Sequence, residues 1–199
     1  MYKLCKTEES CKRQALIEEV TLDLMHKKPF DEIKVSEICQ YADIPRKAFY
    51  RYFDSKDGVV HAILDHNIIG YHTYTAEKRD GATRTIEGEF RAFFSFWKTK
   101  KSFLDAFEKS NLTGLLIQQS SKYSLMEFLN ARKFLSDEDD DMASKVFNFA
   151  VCGLMSIMLS WYREGFSDSI DSMAGVAARL VSKPLFSMLE KHGIATNRS

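Results

Sequence analysis

Between Ala42 and Lys56 the chain reads "ADIPRKAFYRYFDSK", and its side chains are of the kinds that grip a polyanion. Arg46, Lys47, Arg51 and Lys56 are cationic, Tyr50 and Tyr52 carry phenolic donors, and Asp54 is the one acid from residue 44 to residue 56. A helix started at Pro45 puts Phe49 and Phe53 on one face, four residues apart, where the pair can be buried. Arg46, Lys47, Tyr50 and Arg51 then project outward. An arginine near the N-terminus of such a helix suits a two-point contact with guanine O6 and N7, while Ala48 could at most touch a thymine methyl. Tyr50, Tyr52 and Lys56 suit phosphate oxygens, which position a protein without conveying sequence. Lys56 also opens the next helix, whose free N–H groups favour an anion. A plain amphipathic helix would account for Phe49 and Phe53 and tolerate the charges, but it leaves two tyrosines on the polar side unexplained.

The elements that must hold this stretch are helical. Apolar residues recur at three-and-four spacing through most of the sequence, prolines occur only at 29, 45 and 184, and strand-like alternation is essentially absent. The reading is an all-α chain of about nine helices. The first, about Glu8 to His26, carries a stripe of Leu16, Val20 and Leu24 with Ile17 and Ala15 beside it, and "KKPF" ends it. A short helix from Val35 to Tyr41 presents Val35, Ile38, Cys39 and Ala42 to a core. After "ADI" a second short helix runs from Pro45 to Tyr52, with Pro45 in its first turn, where no intrahelical bond is lost, and Asp43 able to cap it. A fourth helix follows from Lys56 to about Glu77, capped by Asp54 or Ser55. Thr85 can cap the fifth, over "IEGEFRAFFSFWKTK", and "SFLDAFEK" forms the sixth. The seventh is expected from Leu115 to Leu135, the eighth from Met142 to Glu164 and the ninth from Ser172 to Leu189. The acidic run at 137–141 reads as a solvated loop whose charge suits the start of the eighth helix.

Two short helices broken by "ADI" and flanked by longer ones form a helix-turn-helix pattern, in which the second short helix lies in the DNA major groove. The stretch "KPFDEIKVSEICQYADIPRKAFYRYFDSKDGVV", residues 28 to 60, resembles the TetR (tetracycline-repressor) family of bacterial transcription regulators. The residues that carry the resemblance are Ile38, Ala42, Phe49, Tyr50, Tyr52, Phe53, Ser55, Lys56 and Asp57. Three positions depart from the family pattern: Asp43 stands where glycine is common, Lys34 where a threonine caps the helix and touches phosphate, and Pro45 where serine is frequent. Loss of that cap would weaken the helix start by roughly 1 kcal/mol. Lys34 can still reach a phosphate by charge, and Ser36 is the remaining hydroxyl there. The expected DNA-contacting set is therefore Lys34, Ser36, Pro45, Arg46, Lys47, Ala48, Tyr50, Arg51, Tyr52 and Lys56. The resemblance implies a DNA-binding domain over 1–57 and a helical dimerisation and effector domain over 58–199.

Lysine plus arginine and aspartate plus glutamate each total 28 in 199 residues, so a nucleic-acid surface must come from local segregation of charge. Cys5, Cys11, Cys39 and Cys152 are scattered without zinc-ligand spacing and read as reduced thiols. His61 and Asp65 share a helix face, with His66 and His72 nearby, but no third ligand is specified, so no metal is expected. The N-terminus lacks the apolar core of a signal peptide, and a cytoplasmic location is expected. Val146 to Tyr162 is uncharged and approaches the length of a membrane span; a helix buried in a core or between subunits accounts for it as well, and no membrane is expected. In that second reading Val146, Phe149, Ala150, Gly153, Ile157 and Trp161 of the eighth helix join Met173, Val176, Ala177 and Leu180 of the ninth in a four-helix interface of a homodimer. Phe93, Phe94, Trp97, Phe103, Phe107 and Phe128 cluster where the family usually places its effector pocket, and they suit a small hydrophobic ligand or a plain core.

No GxSxG, HExxH, GxGxxG or P-loop pattern is present, so neither enzyme activity nor a cofactor is expected. The expected function is a dimeric regulator of a near-palindromic site in double-stranded DNA, a repressor released by a small hydrophobic effector or a protein partner. The alternatives are a helical protein-interaction module, or an activator that responds to a protein partner.

Overall fold

The computed structural model describes residues 2, 3, 5, 7–78, 85–131 and 137–182, those of 124–131 and 137–143 by their backbone. Among these the chain is all-α, with nine helices: α1 (Glu8–Lys27), α2 (Val35–Tyr41), α3 (Arg46–Tyr52), α4 (Lys56–Lys78), α5 (Ile86–Lys98), α6 (Lys101–Lys109), α7 (Thr113–Ala131), α8 (Asp137–Arg163) and α9 (Ile170–Ser182). A single 3-10 turn, Phe30–Glu32, links α1 to α2. The one extended pairing among the described residues is an isolated antiparallel bridge between Tyr2 and Phe53.

The chain folds as two compact units, one of residues 1–70 with 100–123, the other of 71–99 with the residues from 124 onward. This partition does not fall at the expected boundary after residue 57. Helix α4 continues unbroken past that point, and α6 packs on α1.

In the first unit α1 packs on α2 and α6, and α2 on α3. Thr7 and Ser10 cap α1 reciprocally: the Ser10 N–H donates to Thr7 Oγ1 at 3.2 Å and the Thr7 N–H to Ser10 Oγ at 3.0 Å. At its other end Lys109 Nζ donates to the carbonyls of His26 (2.7 Å) and Lys27 (3.2 Å), which have no partner within the helix. The buried face of α1 is Gln14, Ile17, Glu18, Thr21, Leu24 and Met25. Of the expected apolar set Leu24 and Ile17 belong to it, and Leu16 is exposed. Two of the polar residues on this face, Thr21 and Glu18, find a partner there. The Thr21 hydroxyl donates to the Ile17 carbonyl at 2.7 Å, and Glu18 Oε2 lies 2.8 Å from His66 Nδ1.

One sequence expectation is overturned at the N-terminus. Cys5 and Cys11 are joined in a disulfide, with Cα atoms 5.1 Å apart, while Cys39 and Cys152 are free. Cys5 lies just ahead of the Thr7 cap and Cys11 in the first turn of α1, so the cap itself turns the chain and brings the two sulfurs together.

In the second unit α5 packs against α8 and α9. Thr85 caps α5 as expected, its Oγ1 accepting from the Gly88 N–H at 3.1 Å. The core is aromatic: Phe94 meets Trp161 edge-on at 5.5 Å between centroids, Tyr71 meets Phe93 at 5.7 Å, and Trp161 meets Phe166 at 4.7 Å. Helix α8 starts at Asp137, five residues before the expected Met142, because acids in a first turn favour the helix rather than oppose it. It ends where Gly165 takes φ +73° and the Phe166 N–H returns to the Trp161 carbonyl at 2.8 Å.

Candidate nucleic-acid interface

The turn between α2 and α3 is set by backbone geometry. The Ile44 N–H donates to the Cys39 carbonyl at 3.0 Å and the Asp43 N–H to the Gln40 carbonyl at 3.3 Å, the paired bonds that end a helix through a left-handed residue. That residue is Asp43, at φ +48°. The position therefore has a geometry that glycine adopts freely, and aspartate is among the few other side chains that tolerate it. Asp43 does not cap α3. Pro45 occupies the cap position at φ −67°, ψ 146°, with no side-chain cap bond, and the helix begins at Arg46. The fixed φ of proline suits this entry, and its absent N–H leaves one fewer donor to satisfy.

Phe49 and Phe53 are fully buried, with ring centroids 5.6 Å apart, and they orient α3. Arg46, Lys47, Tyr50 and Arg51 are exposed, as is Pro45, and Ala48 and Tyr52 are half-buried. Arg46 and Tyr50 act as a pair: Arg46 Nη2 donates to the Tyr50 hydroxyl at 3.2 Å, with the guanidinium 5.6 Å from the ring centroid. The contact holds the arginine along the exposed side of the helix and limits its rotamers.

At the start of α2, Lys34 and Ser36 are exposed. No side-chain cap bond replaces the hydroxyl there, but Glu37 supplies the other half of a capping box, its Oε2 accepting from the Lys34 N–H at 2.9 Å. Glu37 Oε1 in turn takes Lys28 Nζ at 2.6 Å. The Lys28 hydrogen bond first, and the Lys34 N–H second, hold the Glu37 carboxyl below the usual carboxylate range.

Lys56 has a different task from the phosphate contact its position implied. Its ammonium donates to the carbonyls of Phe30 (2.9 Å), Asp31 (2.9 Å) and Ile33 (3.0 Å), and it sits 4.6 Å from the centre of the Phe30 ring. Three donors meet three acceptors, so the side chain is occupied inside the unit and clamps the α1–α2 connection to the start of α4.

The N-terminal segment joins the site in a way the sequence did not signal. The Lys3 N–H donates to the Tyr52 carbonyl at 2.9 Å, Lys3 Nζ to the Tyr50 carbonyl at 3.3 Å, and Lys3 Nζ lies 3.9 Å from Asp54. The Tyr2 hydroxyl donates to Asp65 Oδ2 at 2.8 Å, and Gln119 Nε2 donates to Asp65 Oδ1 at 2.6 Å. Burial first, and the bond to Asp65 second, push the Tyr2 phenol well above its ordinary value. No periodicity marks residues 2 and 3, so only the fold reveals a basic side chain at the end of α3.

The aromatic set divides between the units. Phe93, Phe94 and Trp97 are buried on α5 in the second unit, whereas Phe103 and Phe107, 4.3 Å apart, are buried on α6 in the first. Phe128 lies outside the residues whose side chains are described. The proposed dimer residues also separate. Trp161, Met173 and Ala177 are buried within their own unit, where α9 packs on α5. Ala150, Gly153, Ile157, Val176 and Leu180 are half-buried, and Val146 and Phe149 stand exposed at 59% and 75%. Ser144–Arg163 is long and apolar enough to cross a membrane by composition alone, which is weak evidence for a single helix. Among the described residues no group of three or more His, Cys, Asp or Glu could hold a metal ion.

Residues 17–63 match the family model described as bacterial regulatory proteins, tetR family. No curated protein matches the sequence. Among solved structures, the chain is similar to the fatty acid degradation regulator FadR from Bacillus halodurans, with TM-score 0.60 and 12% identity over 92% of this chain and 98% of that one. It is similar to a TetR transcriptional regulator from Streptococcus agalactiae 2603V, with TM-score 0.58 and 13% identity over 86% and 94% of the two chains. A tetR-family regulator from Streptomyces coelicolor gives TM-score 0.53 and 17% identity over 96% and 98%. At these identities the structural likeness speaks for the fold alone, and the tetR-family match is confined to residues 17–63.

Proposed function

We propose, from the match of residues 17–63 to the tetR family of bacterial regulatory proteins, that this chain is a dimeric, sequence-specific DNA-binding transcriptional regulator. The observation that carries this reading is the exposed face of α3, where Arg46, Lys47, Tyr50 and Arg51 project from a helix whose other face is locked by Phe49 and Phe53. Arg46 reads a guanine edge in the major groove; Lys34, Ser36, Lys47, Arg51 and Tyr52 meet the backbone. Pro45 and Ala48 approach the groove without polar contacts. Lys56 contributes by holding the connection that places α2.

The second unit supplies pairing and control. Exposed Val146 and Phe149 lie on the same long helix as Gly153, where an added Cβ would meet nothing within 4 Å. That face suits a second copy of the chain. Two reading helices related by a twofold axis would engage half-sites about 34 Å apart, or a small multiple, in a near-palindromic operator. Regulators of this family are in general not enzymes, and a repressor released by a small hydrophobic effector is the form of control proposed here. The aromatic core around Phe93, Phe94 and Trp97 supports that effector class.

Selection of bound sites from random double-stranded DNA, followed by a gel-shift assay at moderate salt, tests the reading. An inverted repeat with half-sites one or two helical turns apart is the expected result. Folded protein that retards no sequence in preference to random DNA would remove it.

A further inference from the structure

The Cys5–Cys11 bridge lies where the N-terminal segment meets the reading head, and the DNA-binding reading makes no use of it. Cys11 is exposed and Cys5 half-buried, so solutes reach the pair. Just ahead of Cys5 are the residues that dock on the end of α3: Lys3 bonds to the Tyr52 carbonyl at 2.9 Å and the Tyr50 carbonyl at 3.3 Å, and Tyr2 bonds to Asp65 at 2.8 Å. With the bridge closed, this segment is tethered at Cys5 to the first turn of α1 and little freedom remains to be lost when it docks. With the bridge open that tether is lost, and the hydrogen bonds of Tyr2 and Lys3 must hold these two residues in place. Exposed disulfides in compartments that hold DNA are of the labile, redox-responsive kind.

We propose that Cys5 and Cys11 form a thiol-oxidation site for hydroperoxides, and that closing the bridge fastens Tyr2 and Lys3 to the end of the reading helix and tightens DNA binding. The second half of the proposal rests on the DNA-binding reading. Chemically, Cys11, the more exposed of the pair, attacks the peroxide O–O bond as its thiolate. One oxygen stays on sulfur as a sulfenic acid, and the other leaves as an alcohol, or as water from hydrogen peroxide. The Cys5 sulfur then attacks the sulfenic sulfur, forming the S–S bond and releasing water. In balance, two thiols and one hydroperoxide give one disulfide, one alcohol and one water, with two electrons passing from sulfur to the peroxide. A small dithiol reverses the step by exchange. Cys39, buried on α2, stays outside this chemistry, and Cys152 lies in the other unit. DNA affinity rises with the bridge because the docked Lys3 adds a cation beside α3, 3.9 Å from Asp54, the one acid of that stretch.

The test uses the full chain, reduced with dithiothreitol or treated with hydrogen peroxide and then blocked with N-ethylmaleimide. Peptide masses should show Cys5 and Cys11 linked after peroxide, with Cys39 and Cys152 still alkylated under denaturing conditions. Fluorescence anisotropy on the selected operator should give a Kd about threefold to tenfold lower for the oxidised form. Cys5→Ser should abolish the response and bind like the reduced chain, while Cys152→Ser should keep it. A chain that forms no bridge under peroxide, or forms it with an unchanged Kd, overturns the proposal. If neither form binds DNA, the regulator reading falls by itself, and hydrogen exchange at the Lys3 amide decides the arm. Slower exchange in the oxidised form supports the docking device, and equal exchange in both forms overturns it.

Discussion

The two units solve opposite problems with opposite materials. Around the reading helix, charged side chains are turned inward onto the backbone. Lys56 takes three carbonyls of the α1–α2 connection, Lys109 takes the last carbonyls of α1, and Glu37 caps α2 while gripping Lys28. In the other unit the joints are ring against ring, from Tyr71 through Phe93 and Phe94 to Trp161 and Phe166. Hydrogen bonds from charged groups are directional and fix an orientation, which a helix that reads base edges requires. Aromatic contacts draw their strength from large buried apolar area in a few preferred ring geometries, which would suit the effector-receiving role proposed for that unit. Both tryptophans, Trp97 and Trp161, lie in the aromatic unit, so their fluorescence reports on that unit alone.

The largest predicted effect falls on the aromatic unit's outer face. Phe149→Glu places a charge on the proposed subunit contact and, by twofold symmetry, places it there twice. Dimerisation should weaken by on the order of 4 kcal/mol. Sedimentation should find a monomer with unchanged helix content and tryptophan emission. A variant that remains dimeric would move the interface away from the first half of α8.

Next in size is Lys56→Met, which keeps the stem and removes the ammonium from three carbonyls. A loss of about 3 kcal/mol is expected, since hydrogen bonds to a charged group are each worth about 1.5–3 kcal/mol and water will recover part of them. Urea unfolding followed by circular dichroism should show the loss, and tryptophan fluorescence should shift less. Equal shifts by both probes would erase the contrast between the units. DNA affinity should fall with an unchanged salt slope, whereas a lysine that touched phosphate would reduce that slope by about one.

Lys56 also marks where the sequence stops being legible. Helix periodicity located nine helices among the described residues, with the start of α8 missed by five and the expected ends at Leu135 and Leu189 lying outside the described residues, because burial repeats along one helix and leaves its trace there. The turn and the outward set of Arg46, Lys47, Tyr50 and Arg51 were legible for the same local reason. Lys56, by contrast, bonds to residues 23 to 26 positions away, and Lys3 to a carbonyl 47 positions away. A lysine at a helix start reads alike whether its ammonium meets a phosphate or a carbonyl. Gln14, Glu18 and Thr21 hid the buried face of α1 because their polarity signals solvent, although the Thr21 hydroxyl and one Glu18 oxygen find partners within the unit.

Arg46→Ala comes third and bears on the purpose of so rigid a head. It should remove discrimination between the operator and a site altered at one guanine, worth about 1–3 kcal/mol. Tyr50→Phe leaves the ring beside the guanidinium and removes only the hydroxyl that Arg46 bonds, so it should cost about 1 kcal/mol or less. If the two variants lose the same discrimination, Tyr50 itself touches the DNA rather than steadying Arg46. Asp43→Gly should act in the other direction. A non-glycine residue at φ +48° carries a steric cost of roughly 1 kcal/mol, partly offset by glycine's greater freedom when unfolded. A gain of up to about 1 kcal/mol is expected in urea unfolding. Removing the negative charge near the groove should also tighten binding to all sequences alike. Asp43→Val, β-branched at the same angle, should destabilise.

The smallest effect concerns acidity, which separates a unit held by charges from one held by rings. His66 Nδ1 lies 2.8 Å from Glu18 Oε2, and that bond raises the imidazole pKa above 6.5, against burial, which lowers it; Asp65 adds to the rise. A histidine whose pKa is higher folded than unfolded stabilises the fold fully below its unfolded value. The contribution is lost as pH rises through the folded value. Its side chain is 46% exposed, so solvent screens the pair and the gain is small. The chain should therefore resist urea slightly better at pH 6 than at pH 8, and His66→Gln should flatten that difference. The change should appear in circular dichroism more than in tryptophan fluorescence, because the pair joins α1 to the part of α4 in the first unit. A pH dependence that survives in His66→Gln would assign it to other groups and leave Glu18 held in its buried place by packing alone.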